Sequence, residues 1–169
     1  MDVALAIASK RDVREYADRA LEPGVQVGIL DAGRLAGSAR NRQPWRFVVA
    51  ESGDARASLA RAVYRPEVVL AAPFSVLVTG LPGSALTLMD IGRAAQNMML
   101  GAWGLGVVSC PHGLRDPNAL AQLLEPDEEP GIALSFGYPR VARDPTRRPA
   151  EEWSARARRV PLGAIVRRA

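Results

Sequence analysis

The apolar positions along the chain fall into short, dense runs that predict the strands of a central sheet. Four runs are rich in β-branched and aromatic residues, and glycine, proline or serine follows each of them closely. The predicted strands are 45–50, 74–79, 107–110 and 132–138. Runs of this length are typical of strands buried in a domain core.

Apolar residues at helical spacing predict five helices before and between these strands. They cover 2–10, 25–36, 55–63, 84–105 and 117–124. Asp54 is the predicted N-cap of the third helix, and Asp116 with Pro117 starts the fifth. Apolar and small residues wrap widely around the long fourth helix, as in a central helix packed on several sides. This order of elements predicts an α+β or three-layer α/β domain.

Length and composition agree with one compact domain over residues 1–169. The chain has 48% apolar and 24% charged residues, the balance of an ordinary globular protein, and no repeat or linker divides it. Its single cysteine, Cys110, cannot form an intramolecular disulfide, and the charged N-terminal segment has no secretory signal. The apolar run 68–81 is too short to cross a bilayer and contains Pro73. We therefore expect a cytoplasmic protein.

The net charge of +4 and a sequence pI near 10 are properties of many nucleic-acid-binding proteins. The arginines, however, concentrate near the two ends of the chain, and aromatic residues are not interleaved with them. Two basic ends that meet in space would suffice to hold one phosphate. The segment from about 140 to 169 has little core-forming pattern, so we expect this C-terminal arm to dock on a partner subunit.

Lys10, Arg11 and Arg14 form the first candidate site. They follow the first predicted helix and are spaced so that they can converge on one anion, because guanidinium groups bind phosphate oxygens in pairs. The alternative is a solvated turn with ordinary surface charge, and the segment by itself does not decide between the two.

Ser38, Asn41 and Gln43 form the second candidate site, on a polar loop over 37–45. Their hydroxyl and amide groups suit the alternating donors and acceptors of a flavin ring and the hydroxyl groups of its polyol chain. The alternative is a polar loop whose side chains cap its own backbone.

Pro111, His112 and Gly113 form the third candidate site, in a turn predicted after the strand over 107–110. A backbone N–H there can reach a flavin ring nitrogen, and the glycine permits close approach. His112 is a candidate proton donor near neutral pH, although a lone histidine is more often a surface residue. Cys110 could pair with it as a nucleophile, but its surroundings in the sequence favour a small buried residue.

Several other kinds of site lack their sequence motifs. There is no GxGxxG after a strand and no GxxxxGK[ST], which argues against a Rossmann or P-loop nucleotide site. No CxxC or histidine cluster supports zinc or iron–sulfur binding, so we expect no metal site. Asp90 has no partner carboxylate on its predicted helix, which argues against hydrolysis by a carboxylate pair.

Taken in order, these segments resemble the nitroreductase family of flavoproteins. Segment 10–14 is similar to the family's RRSxR phosphate-binding motif, with Asp12 in place of serine. Segment 37–45 is similar to its PSxxNxQPW motif, with Gly37 in place of proline. The stretches MDIGRAAQNMMLGAWGLGVVSC and LLEPDEEPGIALSFGYP resemble its central helix with the following strand and its last core strand. Segment 158–162 resembles its basic C-terminal motif.

The resemblance implies an α+β nitroreductase-like fold with a central mixed β-sheet flanked by helices, an interlocked homodimer, and FMN at the dimer interface. NADH or NADPH would reduce the FMN, which would pass electrons to a small acceptor such as a nitroaromatic or a quinone in a ping-pong cycle. The flavin carries the chemistry, so no catalytic side chain is required, and His112 is the only candidate for one. The implied cofactor-binding residues are Lys10, Arg11, Asp12, Arg14, Ser38, Asn41, Gln43, Pro111, His112, Gly113, Arg158 and Arg159.

Three other functions remain open. Asp12 resembles the family's oxygen-using branch, which fragments reduced FMN to make dimethylbenzimidazole. The short chain leaves little room for a segment that covers the flavin, so we expect an open flavin face and broad acceptor choice. The short chain also suggests the second alternative, which is a flavin-binding protein without turnover. A nucleic-acid-binding module, suggested only by the pI, is the third, and no membrane association is expected.

Overall fold

The computed structural model describes residues 1–82 and 86–168, which form two compact units. The larger unit comprises residues 11–142, and the smaller one joins residues 1–10 to residues 143–169. Among the described residues, none of the helices is both long and apolar enough to span a membrane. The candidate segments 11–14, 37–45 and 111–113 all belong to the larger unit.

In the described part of the larger unit, the central sheet has four strands. They are β1 (Trp45–Val49), β2 (Phe74–Gly80), β3 (Val108–His112) and β4 (Glu129–Gly137), in the order β1-β2-β4-β3. All three neighbouring pairs are antiparallel. The prediction of a mixed sheet is therefore wrong for these strands. Among the described residues, parallel pairing occurs at an isolated bridge between Asp12 and Ser109.

Helices cover both faces of this sheet. One face packs against α2 (Pro23–Arg34) and α5 (Leu86–Gly104), through a core that includes Ile29, Met98, Val76 and Leu134. The other face packs against α3 (Gly53–Ala62), α4 (Pro66–Ala71) and a 3₁₀ helix, Pro117–Leu123, around residues that include Leu59, Leu77 and Ala133. Successive strand residues point to opposite faces, so Val76 and Leu77 enter different cores. The expected α+β fold with helices flanking a sheet is confirmed.

Several predicted boundaries change for local physical reasons. The N-cap of α3 is Ser52, whose hydroxyl accepts the Ala55 N–H at 3.1 Å, and not Asp54, which lies in the first turn. Helix α4 was not predicted, because its six residues merge with the apolar run that continues into β2. The helix predicted over 117–124 is a 3₁₀ helix, capped by Asp116 as expected. The predicted start of the long helix at Ser84 lies outside the described residues.

The smaller unit is a helical assembly of the two chain ends. Helix α1 (Val3–Ser9) packs against α6 (Ala150–Arg156), and a short α7 (Leu162–Ile165) follows. The Trp153 indole N–H donates to the Pro145 carbonyl oxygen at 2.8 Å. The C-terminal arm therefore contains more regular structure than its sequence pattern indicated.

Candidate functional site

Main-chain pairing brings the segment 11–14 alongside β3. Asp12 and Ser109 form a parallel bridge, and the Val13 N–H donates to the Ser109 carbonyl oxygen at 3.0 Å. Val13 is buried, whereas Arg14 and Asp12 are exposed and Arg11 is partly exposed. Residues 11–14 are thus neighbours of the third candidate site. Together, residues 11–14 and 109–113 are called the β3 edge below.

The structure extends β3 through two residues that were predicted to lie in a turn. Pro111 and His112 pair with Leu134 and Ala133 of β4. A proline is compatible with this place because β3 is the edge strand and the missing N–H can face away from β4. Gly113 follows the strand and is exposed.

His112 is buried, which contradicts the expectation of a surface histidine. It is only 4% exposed, and its Nε2 lies 2.9 Å from the Ser135 hydroxyl oxygen on β4. Burial lowers the pKa of His112, and the positive charge of Arg14 adds to the effect, while Glu67 opposes it. The imidazole is therefore neutral near pH 7, a state that disfavours the proposed role of His112 as a proton donor at that pH.

A second buried polar group, the Tyr16 hydroxyl, lies near Ser135. This hydroxyl makes no hydrogen bond of normal geometry to the described residues. Ser135 nevertheless lies close enough to lower the pKa of Tyr16 slightly. Burial raises the pKa of Tyr16 well above its usual range. Cys110 also faces Ser135 in the strand register and is only 1% exposed, which confirms it as a small buried residue. The His112 imidazole and the Tyr16 hydroxyl are therefore both uncharged at neutral pH.

The second candidate site is a loop that leads into β1, and residues 37–44 are called the β1 loop below. The three predicted side chains lie together there and hydrogen-bond within the loop. The Gln43 backbone N–H donates to the Ser38 hydroxyl at 2.9 Å, and the Gln43 side-chain amide donates to the Asn41 side-chain oxygen at 3.2 Å. Asn41 and Gln43 are exposed, so they can exchange these contacts for contacts with a ligand.

Three residues of the β1 loop have left-handed backbone conformations. The φ angles of Arg40, Asn41 and Gln43 are 54°, 54° and 49°. This conformation costs roughly 1–2 kcal/mol for most side chains other than glycine, and asparagine tolerates it best. Such strain is common at functional sites and requires support from the surrounding structure.

The β1 loop and the β3 edge lie at opposite edges of the sheet. Three strand spacings separate β1 from β3, which is about 14 Å across the sheet. The structure therefore brings Arg11 and Arg14 of the first candidate site to the third, but it does not bring the second site to them within one chain. Of the remaining predicted residues, Lys10 is the C-cap of α1, and Arg158 and Arg159 follow α6. All three belong to the smaller unit.

Sequence reasoning missed three groups that organise these sites: Tyr16, Ser135 and the pair of Asp90 with Arg93. Asp90 is buried on α5 and accepts a hydrogen bond from the backbone N–H of Ala39 in the β1 loop. Helical spacing gave a signal, because Asp90 shares the apolar face of α5 with Ala94 and Met98. No comparable pattern distinguishes Ser135 from other polar residues in a strand.

Comparison with known proteins gives consistent matches over most of the chain. The profile of the nitroreductase family matches residues 7–77 and 61–138. A proposed NADH dehydrogenase/NAD(P)H nitroreductase from Methanothermobacter thermautotrophicus is 29% identical, over 90% of this chain and 88% of the relative.

Two crystal structures have the same fold. A nitroreductase family protein from Clostridium difficile superposes with a TM-score of 0.81 at 27% identity, covering 99% of this chain and 98% of the other. A proposed nitroreductase from Desulfovibrio desulfuricans, in complex with FMN, superposes with a TM-score of 0.80 at 26% identity, covering 100% and 98%.

Proposed function

Because the chain belongs to the nitroreductase family, we propose that it is an FMN-dependent oxidoreductase that takes electrons from NADH or NADPH. The FMN-bound relative and the nicotinamide-dependent relative support this cofactor pair. The acceptor is a small molecule such as a nitroaromatic or a quinone, and the two half-reactions follow one another in a ping-pong cycle. The bound flavin supplies the hydride chemistry, so the protein's task is to bind and orient.

The observation that carries the proposal is the bridge between Asp12 and Ser109, which joins the cationic segment to β3. Arg11 and Arg14 bind the FMN phosphate, since guanidinium groups bind phosphate oxygens in bidentate fashion. The backbone at Pro111, His112 and Gly113 borders the flavin ring. Since Pro111 has no N–H, the backbone donors of this segment are the N–H groups of His112 and Gly113.

The chemistry of the β1 loop fits the remainder of FMN. Ser38, Asn41 and Gln43 offer a hydroxyl and two amides, of which the amides are exposed, and these groups match the ring edge and the polyol chain. Because the β1 loop lies at the opposite edge of the sheet from β3, it binds the flavin held by a second copy of the chain. This division of labour predicts a homodimer, with the C-terminal arm from about residue 140 docked on the partner. Lys10, Arg158 and Arg159 are proposed as further cations for the phosphate.

Asp12 supports one alternative, the flavin-fragmenting branch. It is exposed at the β3 edge and close enough to His112 to affect its pKa, so a carboxylate lies near the segment that borders the ring. That activity would consume FMN in the presence of oxygen without an added acceptor. A flavin-binding protein without turnover would bind FMN but leave NADH and NADPH unoxidised with every acceptor.

The decisive test compares FMN with riboflavin, which lacks the phosphate. Wild-type protein should bind FMN more tightly, and the double variant Arg11→Gln/Arg14→Gln should lose about 10- to 100-fold in FMN affinity, or 1.4–2.8 kcal/mol, with riboflavin binding unchanged. Arg34→Gln, which removes an exposed arginine of α2, is the matched control. Equal affinity of wild-type protein for the two flavins would contradict the proposed phosphate site.

Anaerobic reduction then tests turnover. NADH or NADPH should bleach the visible flavin bands, and a nitroaromatic or quinone should restore them. Protein-bound flavin that stays oxidised with both donors would favour the non-catalytic alternative. Oxygen-dependent loss of the flavin itself would favour the fragmenting branch.

A further inference from the structure

The side chain of Asp90 is a buried carboxylate at the point where α5 meets the β1 loop. The residue is 2% exposed, and its Oδ2 accepts the Ala39 backbone N–H at 3.2 Å. Its Oδ1 lies 3.4 Å from Nη1 of Arg93, one turn further along the helix. Burying a charge is costly unless it is paired and hydrogen-bonded, so a carboxylate in this position requires both contacts.

The Arg93 side chain lies close to Gly37 of the β1 loop as well as to Asp90. A Cβ atom at Gly37 would lie 2.3 Å from Nη2 of Arg93, so the guanidinium lies directly against the glycine backbone. A side chain at position 37 would displace this guanidinium, which has room to move because the Arg93 side chain is 52% exposed. Asp90 thus binds the β1 loop at Ala39 through a hydrogen bond, and Arg93 lies against the loop at Gly37.

Most of the other hydrogen bonds of the β1 loop join residues that are close to one another in the chain. Its three left-handed residues are exposed, and its side-chain bonds run mainly between Ser38, Asn41 and Gln43 themselves. Its other end is tied to the sheet by the Leu81 N–H, which donates to the Pro44 carbonyl oxygen at 2.9 Å. The strained backbone between these points needs a second anchor, and α5 provides it.

We propose that Asp90 and Arg93 are a positioning pair that holds the β1 loop in the conformation in which Ser38, Asn41 and Gln43 contact FMN. This inference rests on the proposed function for its consequence in flavin binding. The pair acts through the backbone of Gly37 and Ala39 and does not touch the cofactor. Because the Asp90 carboxylate is enclosed, its hydrogen bond to the loop is protected from competition with water.

The chain contains a matched control for this pair. Asp31 and Arg34 have the same i,i+3 spacing on α2, but their side chains are 48% and 61% exposed, whereas the Asp90 side chain is 3% exposed. An exposed pair of this kind contributes little to stability. Asp31→Ala therefore removes the same functional group from a helix without releasing the β1 loop.

Hydrogen exchange of the flavin-free protein tests the anchor without reference to FMN. Asp90→Ala should speed exchange of the amides over 37–43 by about tenfold or more, with exchange in β2 and β4 unchanged. Asp90→Asn should fall between this variant and wild type, because the amide oxygen can still accept the Ala39 N–H. Asp31→Ala should match wild type. Unchanged exchange over 37–43 in Asp90→Ala would overturn the proposal.

Flavin binding tests the consequence. Asp90→Ala should weaken FMN binding about tenfold and should leave turnover near wild type once FMN is saturating, because the pair positions the loop and takes no part in the chemistry. Arg93→Gln is the milder variant if Asp90→Ala does not fold, and it should weaken FMN binding in the same direction. If wild-type protein bound no FMN, the proposed function would be wrong. The hydrogen-exchange result would still decide whether Asp90 holds the β1 loop. If wild-type protein binds FMN and both variants bind it equally well, the positioning role is wrong.

Discussion

The two edges of the sheet carry two halves of the candidate site and are stabilised in different ways. At the β3 edge, main-chain hydrogen bonds join the chain segments, and His112 is enclosed against Ser135. At the β1 edge, an exposed loop relies on its own side chains and on the anchor from α5. Burial fixes the β3 edge in one arrangement. The β1 loop instead presents the exposed amides of Asn41 and Gln43, which can exchange their hydrogen bonds within the loop for bonds to a ligand. Substitution of a buried residue at the β3 edge should therefore reduce stability, whereas substitution of an exposed amide side chain of the β1 loop should affect mainly ligand binding.

The largest expected effect on stability comes from removing the buried histidine. His112→Ala should lower the free energy of unfolding by about 2–3 kcal/mol, because it leaves a cavity and deprives the Ser135 hydroxyl of its partner. Gln43→Ala, which also removes a hydrogen-bonding side chain, should change it by less than about 0.5 kcal/mol because Gln43 is exposed. Urea unfolding of both variants measures the difference. An equal loss of unfolding free energy in both variants would show that burial does not distinguish the two edges.

An intermediate effect is expected from glycine substitutions in the β1 loop. Arg40 has a φ of 54°, whereas Arg42 has an ordinary helical conformation with φ at −69°. Glycine at position 40 relieves the backbone strain of the folded state. Glycine at position 42 relieves no strain and destabilises the protein, because it makes the unfolded chain more flexible. Arg40→Gly should therefore be more stable than Arg42→Gly by about 1 kcal/mol in thermal or urea unfolding. The reverse order would contradict a strained loop.

The smallest effect is a pH dependence that belongs to the β3 edge. His112 is the only histidine of the chain, and its folded-state pKa is lowered below 6.5 by burial and by Arg14. Below pH 6.5 the unfolded chain binds more protons than the folded one, so stability should fall as the pH is lowered from about 7 to 5. Arg65 also lowers this pKa, while Glu67 and Asp12 raise it.

The variant His112→Gln separates this contribution from that of the carboxylates. It should lose most of the pH dependence between 5 and 7, whatever its absolute stability, because carboxylates titrate mainly at lower pH. Glu22, for example, has a pKa lowered to about 2 by the hydrogen bond from Tyr138 and the contact with Arg19. A variant with the same slope as wild type would show that His112 is not the titrating group.

The elements that could be predicted were those in which local pattern and tertiary environment agree. The cores of all four strands and of α2 and α5 follow from apolar composition and spacing, since burial on the sheet and on the helices demands that pattern. Helix α4 could not be separated from the following strand, because a six-residue apolar helix lacks a readable period. The extension of β3 through Pro111 and His112 could not be foreseen, because it depends on an edge position that only the strand order defines.

The candidate residues were chosen as three local segments, and the relations of these segments in space were beyond the sequence. Ser38, Asn41 and Gln43 lie within six residues of one another, so a single loop had to bring them together. Whether Arg14 lies near His112 depends instead on pairing between segments almost 100 residues apart. The burial of His112 and the anchor at Asp90 likewise depend on which elements pack against each other.

The sequence by itself determined the kinds of elements, their approximate bounds and the chemistry of each polar segment, because these follow from local spacing and residue type. Only the tertiary structure decided that the sheet is antiparallel over its described strands, that residues 11–14 join β3, and that the β1 loop lies at the far edge. The physical reason is that strand order and side-chain burial arise from contacts between distant segments. No local pattern in the chain encodes which of those contacts has the lowest free energy.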